Sequence, residues 1–254
     1  MSALATRTVV IIPARYASTR LPGKALADIC GKPMIQHVYE RASRAKLVER
    51  VLVATDDQRI VDAVHAFGGD AVMTSRECRS GTDRIAEVVR TLSGVDIVVN
   101  VQGDEPLIPP SMIDAAITPL WDDPMILVGT LVRRIRNIED LLDPAVPKVA
   151  LDNAKRCLYF SRSPIPYVRD VPTEASLEHH LFYRHIGLYV FRRSFLLRFA
   201  ALEQTPLERA EQLEQLRILE HGYSIHAAIT EEESLAVDTP ADLERIRRIM
   251  EPLS

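Results

Sequence analysis

Apolar runs alternate with helical patterns of apolar residues along the first half of the chain. The unbroken apolar run at 9–12 predicts a strand buried on both faces, the stretches at 51–54 and 96–101 predict two more buried strands, and a shorter run lies at 71–73. Apolar residues at helical spacing predict intervening helices that begin near Pro33, Asp57 and Ser80. A helix at 111–120 and a strand at 125–132 extend this alternation. Short loops between alternating strands and helices predict an α/β fold with a doubly wound, mostly parallel sheet and helices on both faces.

The pattern changes from about residue 133. Runs at 148–151 and 157–160 predict a hairpin, and 184–190 predicts a strand on which His185 and Tyr189 share one face. The stretch 173–183, rich in Glu and His, is interpreted as a mobile surface segment. A helix is predicted from Thr205 to about residue 221, a strand at 224–228, and a last helix that begins with Thr239 as its N-cap.

The loop after the first strand carries the first candidate chemistry. Arg15, Arg20 and Lys24 follow the buried run closely, with Ser18 among them. Ligands of open α/β sheets bind outside the carboxyl ends of the strands, so the three cations favour a site for a polyanion such as a phosphate group over a merely solvated basic loop. The loop is not a P-loop, because Ser18 stands at the first glycine position and Ala25 follows the lysine.

Composition and charge indicate which partners are unfavourable and which cellular compartment to expect. The net charge of −4 argues against a nucleic-acid partner, since non-specific binding needs a large cationic field. Three scattered cysteines without a C-x-x-C motif fit a reducing compartment and give no zinc-binding pattern. No apolar run reaches the length of about 18 residues that a membrane span needs, and no signal peptide is evident. We therefore expect a cytoplasmic enzyme with no membrane partner.

Several further polar residues have both a structural and a functional interpretation. Ser80 is either an ordinary N-cap or the start of an anion-binding helix end. Asp104 follows a buried strand and Gly103. A Gly-Asp pair after a strand is, by itself, typical of a turn. His185 alone is more often a satisfied core residue, and Asp238 alone suggests helix capping. Arg162 is suited to pair with a carboxylate in bidentate fashion.

A resemblance to a known family favours the functional interpretations. Residues 13–24 resemble the nucleotide-binding loop of the sugar-acid cytidylyltransferases, closest to the CMP-Kdo synthetases (Kdo is 3-deoxy-manno-octulosonate). The similarity extends nearly end to end, through the motifs at 80–84, 101–106, 213–217 and 237–240. The resemblance implies a Rossmann-like nucleotidyltransferase fold as a single domain over 1–254. Within it, about 133–205 is expected to form a smaller sugar-binding and dimerisation lobe.

The resemblance also implies roles for individual residues. It assigns the nucleotide to Arg15, Ser18, Arg20, Lys24, Ser80, Gly81 and Thr82. It assigns Mg²⁺ to Asp104 and Asp238, which with Arg15 and Lys24 form the expected catalytic set. It assigns the sugar acid to Gln102, Arg162, His185, Tyr189, Glu214 and Gln215. The implied reaction joins CTP and Kdo into CMP-Kdo and pyrophosphate, in a homodimer that serves lipopolysaccharide synthesis.

The expected mechanism needs no nucleophilic protein residue. The metal and cations would stabilise charge on the triphosphate while a bound hydroxyl attacks the α-phosphorus. Three alternatives stay open: another sugar acid such as sialic acid or an amino-substituted Kdo, a kinase that uses the same cations, and a non-catalytic nucleotide-binding module. The chain departs from the family at 233–236, where Glu-Ser-Leu-Ala replaces the usual glycines. The central hypothesis is that Asp104 and Asp238 meet beside the cationic loop.

Overall fold

The computed structural model describes residues 7–17 and 21–251 of the 254-residue chain. Its strands, in chain order, are β1 (Thr8–Ala14), β2 (Asp28–Ile29), β3 (Lys32–Pro33), β4 (Arg50–Thr55), β5 (Ala71–Met73), β6 (Ile97–Asn100), β7 (Val128–Arg134), β8 (Lys148–Leu151), β9 (Cys157–Ser161), β10 (Tyr183–Arg192) and β11 (His226–Thr230). Its α-helices are α1 (Met34–Ala42), α2 (Gln58–Ala66), α3 (Gly81–Thr91), α4 (Pro110–Asp122), α5 (Ile138–Leu142), α6 (Arg193–Phe199), α7 (Pro206–Glu211), α8 (Leu216–Glu220) and α9 (Pro240–Met250).

The chain divides into two compact units. Unit 1 comprises the described residues within Met1–Asp114, Phe191–Ala200 and Glu233–Ser254. Unit 2 comprises Ala115–Val190 and Ala201–Glu232. The region 133–205 predicted as a smaller lobe thus lies in unit 2, except for residues 191–200, which belong to unit 1. Its predicted part in sugar binding and dimerisation stays a prediction.

Unit 1 contains a parallel sheet in the order β6-β1-β4-β5. β1 runs parallel to both of its neighbours, with Val10 beside Val51 and Val9 beside Val98. These β-branched residues are almost fully buried, because helices α1 to α3 belong to the same unit and cover the sheet. The predicted α/β fold with a mostly parallel sheet and helices around it is confirmed.

Unit 2 combines parallel and antiparallel pairing. β11 runs parallel to β7, with His226 beside Gly129, and β7 also pairs with β10. β8 is antiparallel to both β9 and β10, so the hairpin predicted at 148–151 and 157–160 is confirmed. Within residues 7–17 and 21–251, no helix has both the length and the apolar character that a membrane crossing demands.

Two predictions about local structure are wrong. The helix predicted from Thr205 to about residue 221 is broken between α7 and α8, where Gln212 adopts a left-handed conformation with φ 52°. The carboxylate of Glu211, at the end of α7, accepts bonds from Ser161 and Arg162, and these contacts override the helical propensity of the sequence. The stretch 173–183 is not wholly a surface segment, because it contains the short 3-10 helix Thr173–Glu178 and the buried side chain of Phe182.

Candidate active site

Three segments of unit 1 meet at the carboxyl end of β1, beside Pro13. A Cβ atom on Gly81 would lie 3.2 Å from Pro13 Cγ, and one on Gly103 would lie 3.0 Å from the Pro13 carbonyl oxygen. Glycine at 81 and 103 therefore allows the start of α3 and the loop after β6 to approach the end of β1 closely. This edge is where an open α/β sheet binds its ligands.

Lys24 is placed by the tight course of the loop after β1. Gly23 has φ 69°, a conformation that favours glycine, and its N–H donates to the Tyr16 carbonyl oxygen over 3.0 Å. The Tyr16 ring lies against Gly23 on one side and is 3.3 Å, centroid to guanidinium carbon, from Arg59. A cation over an aromatic face is attracted by the ring, so Arg59 helps to fix Tyr16 and through it the turn before Lys24.

The ammonium group of Lys24 connects the two predicted metal ligands. Its Nζ lies 2.6 Å from Asp104 Oδ2 and 3.2 Å from Asp238 Oδ1. The Lys24 side chain is only 18% exposed, so water screens these ion pairs less than it would at an open surface. The structure therefore brings Asp104 and Asp238 together beside the cationic loop, although 134 positions separate them in the sequence.

Each carboxylate is positioned by its own backbone. Asp104 follows β6 and Gly103, and its carbonyl oxygen accepts a bond of 2.8 Å from the Val237 N–H. Asp238 precedes Thr239, the N-cap of α9, and its N–H donates to the Asp242 carboxylate over 3.1 Å. The predicted capping role of Thr239 is confirmed, and Asp238 is left to direct its own carboxylate toward Lys24.

The other predicted nucleotide residues lie around this edge as far as they are described. The Arg15 guanidinium donates to the Cys78 carbonyl oxygen over 2.6 Å, which ties it to the segment that enters α3. Ser80 caps α3, and its hydroxyl accepts from the Asp83 N–H over 3.1 Å. Gly81 and Thr82 form the first turn of α3. Ser18 and Arg20 lie outside the described residues.

Glu105 is a buried acidic residue for which the motifs in the sequence predict no role. It is only 9% exposed, and its carboxylate accepts a bond of 3.0 Å from the Ser234 hydroxyl. Burial raises the pKa of Glu105 to about 7, the charge of Asp104 adds to this rise, and the bond from Ser234 opposes it. The only hint in the sequence that Glu105 is special is its position directly after Asp104. Consecutive acidic residues in a loop usually face water, so this position alone does not predict a buried carboxyl group.

In unit 2, the predicted sugar-acid residues His185 and Tyr189 lie on one face of β10. Their ring centroids are 5.2 Å apart, and His185 Nε2 is 2.9 Å from the Thr130 hydroxyl oxygen. Burial lowers the pKa of His185 to about 3, so the imidazole is neutral at neutral pH. Burial also raises the pKa of Tyr189 well above its usual value, and the charge of Glu214 adds to the rise.

Glu214 and Gln215 lie in the turn that separates α7 from α8. Gln215 is 5% exposed, and its amide nitrogen is buried without a hydrogen-bond partner among the described residues. Such an orphaned donor is costly in a folded protein, and it marks a position where a ligand oxygen would be stabilising. Glu214 lies 3.8 Å from the guanidinium of Arg217.

Arg162 and Gln102 make contacts within the protein. The Arg162 guanidinium donates to the carbonyl oxygens of Glu211, Pro144 and Gln212, over 2.6, 2.8 and 3.3 Å. These bonds occupy three of its five N–H donors and fix the plane of the group. The Gln102 amide donates to the Asn100 side chain over 3.1 Å. The predicted contacts of both residues with a sugar acid stay predictions.

The donors in unit 1 fit a magnesium ion that arrives with a nucleotide. In the described part of the chain, no three or more His, Cys, Asp or Glu side chains form a group that could hold a metal. Asp104 and Asp238 are thus a two-carboxylate set. Mg²⁺ in nucleotide enzymes is typically bound by one or two carboxylates, waters and the substrate phosphates. The residues present therefore fit this ion only in combination with phosphate oxygens.

The site defines an α/β protein in which a lysine and two carboxylates, gathered beside the carboxyl end of the first strand, suit a phosphorylated ligand. A family model described as cytidylyltransferase matches residues 9–231. The 3-deoxy-manno-octulosonate cytidylyltransferase of Geotalea uraniireducens (strain Rf4) is 58% identical over 245 residues, which cover 94% of this chain and 97% of the relative. The chain therefore belongs to the cytidylyltransferase family, as the sequence motifs predicted.

Two further comparisons support the same assignment. The enzyme of the same description from Geobacter sulfurreducens (strain ATCC 51573 / DSM 12127 / PCA) is 57% identical over 241 residues, covering 93% of this chain and 96% of that relative. A solved structure of CMP:2-keto-3-deoxy-manno-octonic acid synthetase complexed with CTP is 44% identical and has a TM-score of 0.92. The match covers 98% of this chain and 100% of that one.

Proposed function

We propose that the chain transfers the cytidylyl group of CTP to Kdo, producing CMP-Kdo and pyrophosphate. The observation that carries the proposal is the contact of Lys24 with both Asp104 and Asp238. Two carboxylates and one ammonium at a sheet edge are the groups that a nucleoside triphosphate and its divalent ion need. The names of the relatives and the CTP complex of the structural neighbour support these particular substrates.

The nucleotide is assigned to residues of unit 1. Lys24, Arg15 and Arg20 would bind the phosphates, with Ser18 in the same loop and Ser80, Gly81 and Thr82 near the nucleoside. Lys24 then exchanges part of its contact with the carboxylates for contact with phosphate oxygens. Asp104 and Asp238 would hold Mg²⁺, which supplies charge neutralisation at the triphosphate and eases deprotonation of the attacking hydroxyl.

The reaction is a single displacement at phosphorus. The anomeric hydroxyl oxygen of the sugar acid forms a bond to the α-phosphorus, and the bond from that phosphorus to the β-bridging oxygen breaks. Pyrophosphate leaves with the bonding electrons, and the hydroxyl proton passes to solvent. Because phosphoryl transfer requires mainly positioning and charge stabilisation, the protein residues bind and orient the reactants without forming a covalent bond.

The sugar acid is assigned to His185, Tyr189, Glu214, Gln215, Arg162 and Gln102. The buried, unpartnered amide of Gln215 supports this assignment, since a sugar hydroxyl would accept its hydrogen bond. A neutral His185 fits a role as a hydrogen-bonding partner of hydroxyl groups. The carboxylate of Glu214 adds an acceptor that distinguishes hydroxyl-bearing ligands from anions.

The cellular setting follows from the same reaction. CMP-Kdo is the activated sugar for lipopolysaccharide synthesis, so we assign the enzyme to that process in the cytoplasm. The family resemblance, and not the reaction, supports a homodimer. Light scattering on the purified chain measures the oligomeric state: twice the mass of 28.5 kDa is expected, and the mass of one chain would contradict the dimer.

A pyrophosphate-release assay tests the proposed reaction. Purified protein is incubated with CTP, Mg²⁺ and, in separate reactions, Kdo, an amino-substituted Kdo or sialic acid, and the products are identified by mass. Pyrophosphate and CMP-Kdo are expected with Kdo. Preference for another acid would assign a different substrate to the enzyme. Release of CDP would indicate a kinase, and CTP binding without turnover would indicate a binding module.

A further inference from the structure

The segment that carries Asp238 has no regular structure of its own. Residues 233–238, which belong to unit 1, form neither helix nor strand, and α9 begins only at Pro240. The course of this segment therefore depends on its contacts with other parts of unit 1. Since Asp238 lies 3.2 Å from Lys24, those contacts decide where one of the two carboxylates stands.

Two hydrogen bonds fasten this segment to the loop after β6. The Ser234 hydroxyl donates to Glu105 Oε2 over 3.0 Å, and the Val237 N–H donates to the Asp104 carbonyl oxygen over 2.8 Å. Asp104 and Glu105 are consecutive, so both bonds end on one short piece of chain. Leu235, between the two donors, packs against the apolar cluster that contains Val237.

The two consecutive acidic residues thus have different partners. Asp104 directs its carboxylate to the Lys24 ammonium, whereas Glu105 directs its carboxyl group to Ser234. Withdrawing a carboxyl group from water is unfavourable unless a donor compensates it, and Ser234 is such a donor. Where this chain has Ser234, the family resemblance leads us to expect glycine-rich sequence, which has no hydroxyl to offer.

We propose that Glu105 and Ser234 are positioning residues, which set the separation of Asp104 and Asp238 and thereby the affinity of that carboxylate pair for its divalent ion. This inference rests on the proposed function, in which the pair holds Mg²⁺. The bond acts through the backbone between Ser234 and Asp238, four residues further on. Glu105 and Ser234 act on the carboxylate pair and not on the substrate.

A matched pair of variants isolates the hydroxyl. Ser234→Thr keeps a hydroxyl, whereas Ser234→Val has nearly the same shape and lacks it, so any effect of branching is common to both. Ser43→Ala is the control, because it removes an exposed hydroxyl that donates to the Tyr39 carbonyl oxygen elsewhere in unit 1. Thermal melting establishes that each variant is folded.

Divalent-ion binding is measured with and without turnover. Mn²⁺ binding is followed by electron paramagnetic resonance with CTP present and no sugar acid, and the Mg²⁺ dependence of pyrophosphate release is measured with Kdo. Ser234→Val is expected to weaken Mn²⁺ binding at least fivefold and to raise the half-saturating Mg²⁺ concentration similarly. Its kcat at saturating Mg²⁺ should recover to within about twofold, and Ser234→Thr and Ser43→Ala should match the parent chain.

The outcomes separate this inference from the proposed function. Equal Mn²⁺ binding by the Thr and Val variants would overturn the positioning role while leaving the reaction intact. A rate loss in Ser234→Val that high Mg²⁺ does not restore would also overturn it, because general damage to the fold is not relieved by the ion. Failure of the parent chain to release pyrophosphate from CTP would instead refute the proposed function.

Discussion

The imidazole of His185 on β10 and the hydroxyl of Thr130 on β7 lie 2.9 Å apart in the interior of unit 2. Thr130 Oγ1 donates its single proton to the Leu188 carbonyl oxygen over 2.8 Å, so in the contact with His185 the hydroxyl oxygen accepts and Nε2 is the protonated ring nitrogen that donates. Phe160 closes another side of the ring, with centroids 5.0 Å apart. These surroundings keep the imidazole neutral, and this has a consequence for stability.

The free energy of unfolding should fall as the pH is lowered, because the buried His185 is neutral in the folded chain. Its pKa in the folded chain is about 3, whereas an unfolded histidine has a pKa of about 6.5, so below pH 6.5 the unfolded state binds a proton that the folded state does not. The contribution is fully present above pH 6.5 and is lost progressively as the pH falls toward 3. Between pH 6.5 and 5, this group should lower the free energy of unfolding by roughly 1.5 kcal/mol.

The comparison that isolates His185 uses two asparagine variants. Urea unfolding at fixed pH values should show a shallower loss between pH 6.5 and 5 for His185→Asn than for the parent chain. His65→Asn, at an exposed position on α2, is the control. Superimposable pH profiles for parent and His185→Asn would mean that the buried imidazole is not neutral in the folded chain.

Removing the ammonium of Lys24 should abolish most activity. Lys24→Met keeps the apolar stem but leaves Asp104 and Asp238 facing the nucleotide phosphates without this cation. We expect kcat/KM for pyrophosphate release to fall by roughly 10²–10³-fold, the size typical of losing one preorganised charge-stabilising group. Lys46→Met, an exposed lysine, should retain parental activity. A folded Lys24→Met variant with near-parental kcat/KM would contradict the phosphate role.

The close approach at Gly103 should be sensitive to one methyl group. A Cβ there would lie 3.0 Å from the Pro13 carbonyl oxygen, a backbone atom that cannot rotate away. Gly103→Ala is expected to lower the free energy of unfolding by about 1–3 kcal/mol, as other overpacking changes do. Gly187→Ala is the matched control, since no atom lies within 4 Å of its Cβ position. Chemical denaturation compares the two, and equal stabilities would contradict a tight contact.

Replacing Gln215 should weaken binding of the sugar acid without lowering the stability of the fold. Gln215→Leu removes the buried amide nitrogen that has no hydrogen-bond partner in the described structure, so the free energy of unfolding should stay level or rise by about 1 kcal/mol. The KM for Kdo should nevertheless rise at least tenfold, while the KM for CTP changes little. Gln204→Leu, at an exposed position, provides the control. An unchanged KM for Kdo would remove Gln215 from the sugar-acid site.

Elements with a strong local signal were predictable. The run 9–12 is apolar and β-branched, and the strand forms there because burial on both faces suits those residues. Ser80 and Thr239 carry capping boxes whose partners lie three residues on, so the starts of α3 and α9 follow from nearest neighbours. The cationic loop and Asp104 were likewise predictable, because both follow buried strands of a parallel sheet.

Features that depend on distant contacts were not predictable. The residues around Gln212 favour helix by themselves, and the break arises only because Glu211 bonds to Ser161 and Arg162, some fifty positions earlier. The bond between Ser234 and Glu105 joins residues 129 positions apart. The pairing of Asp104 with Asp238 came from the motif resemblance, since the sequence by itself gives no distance between them.

The placement of Lys24 means that the site carries its own counter-ion before any ligand arrives. Without that ammonium, Asp104 and Asp238 would repel each other and their segments would tend to separate. With it, the two acids are already held close, so the first ligand to bind meets a preorganised arrangement and need not assemble one. The same lysine that is expected to receive phosphate thus also keeps the resting enzyme in a shape ready for it.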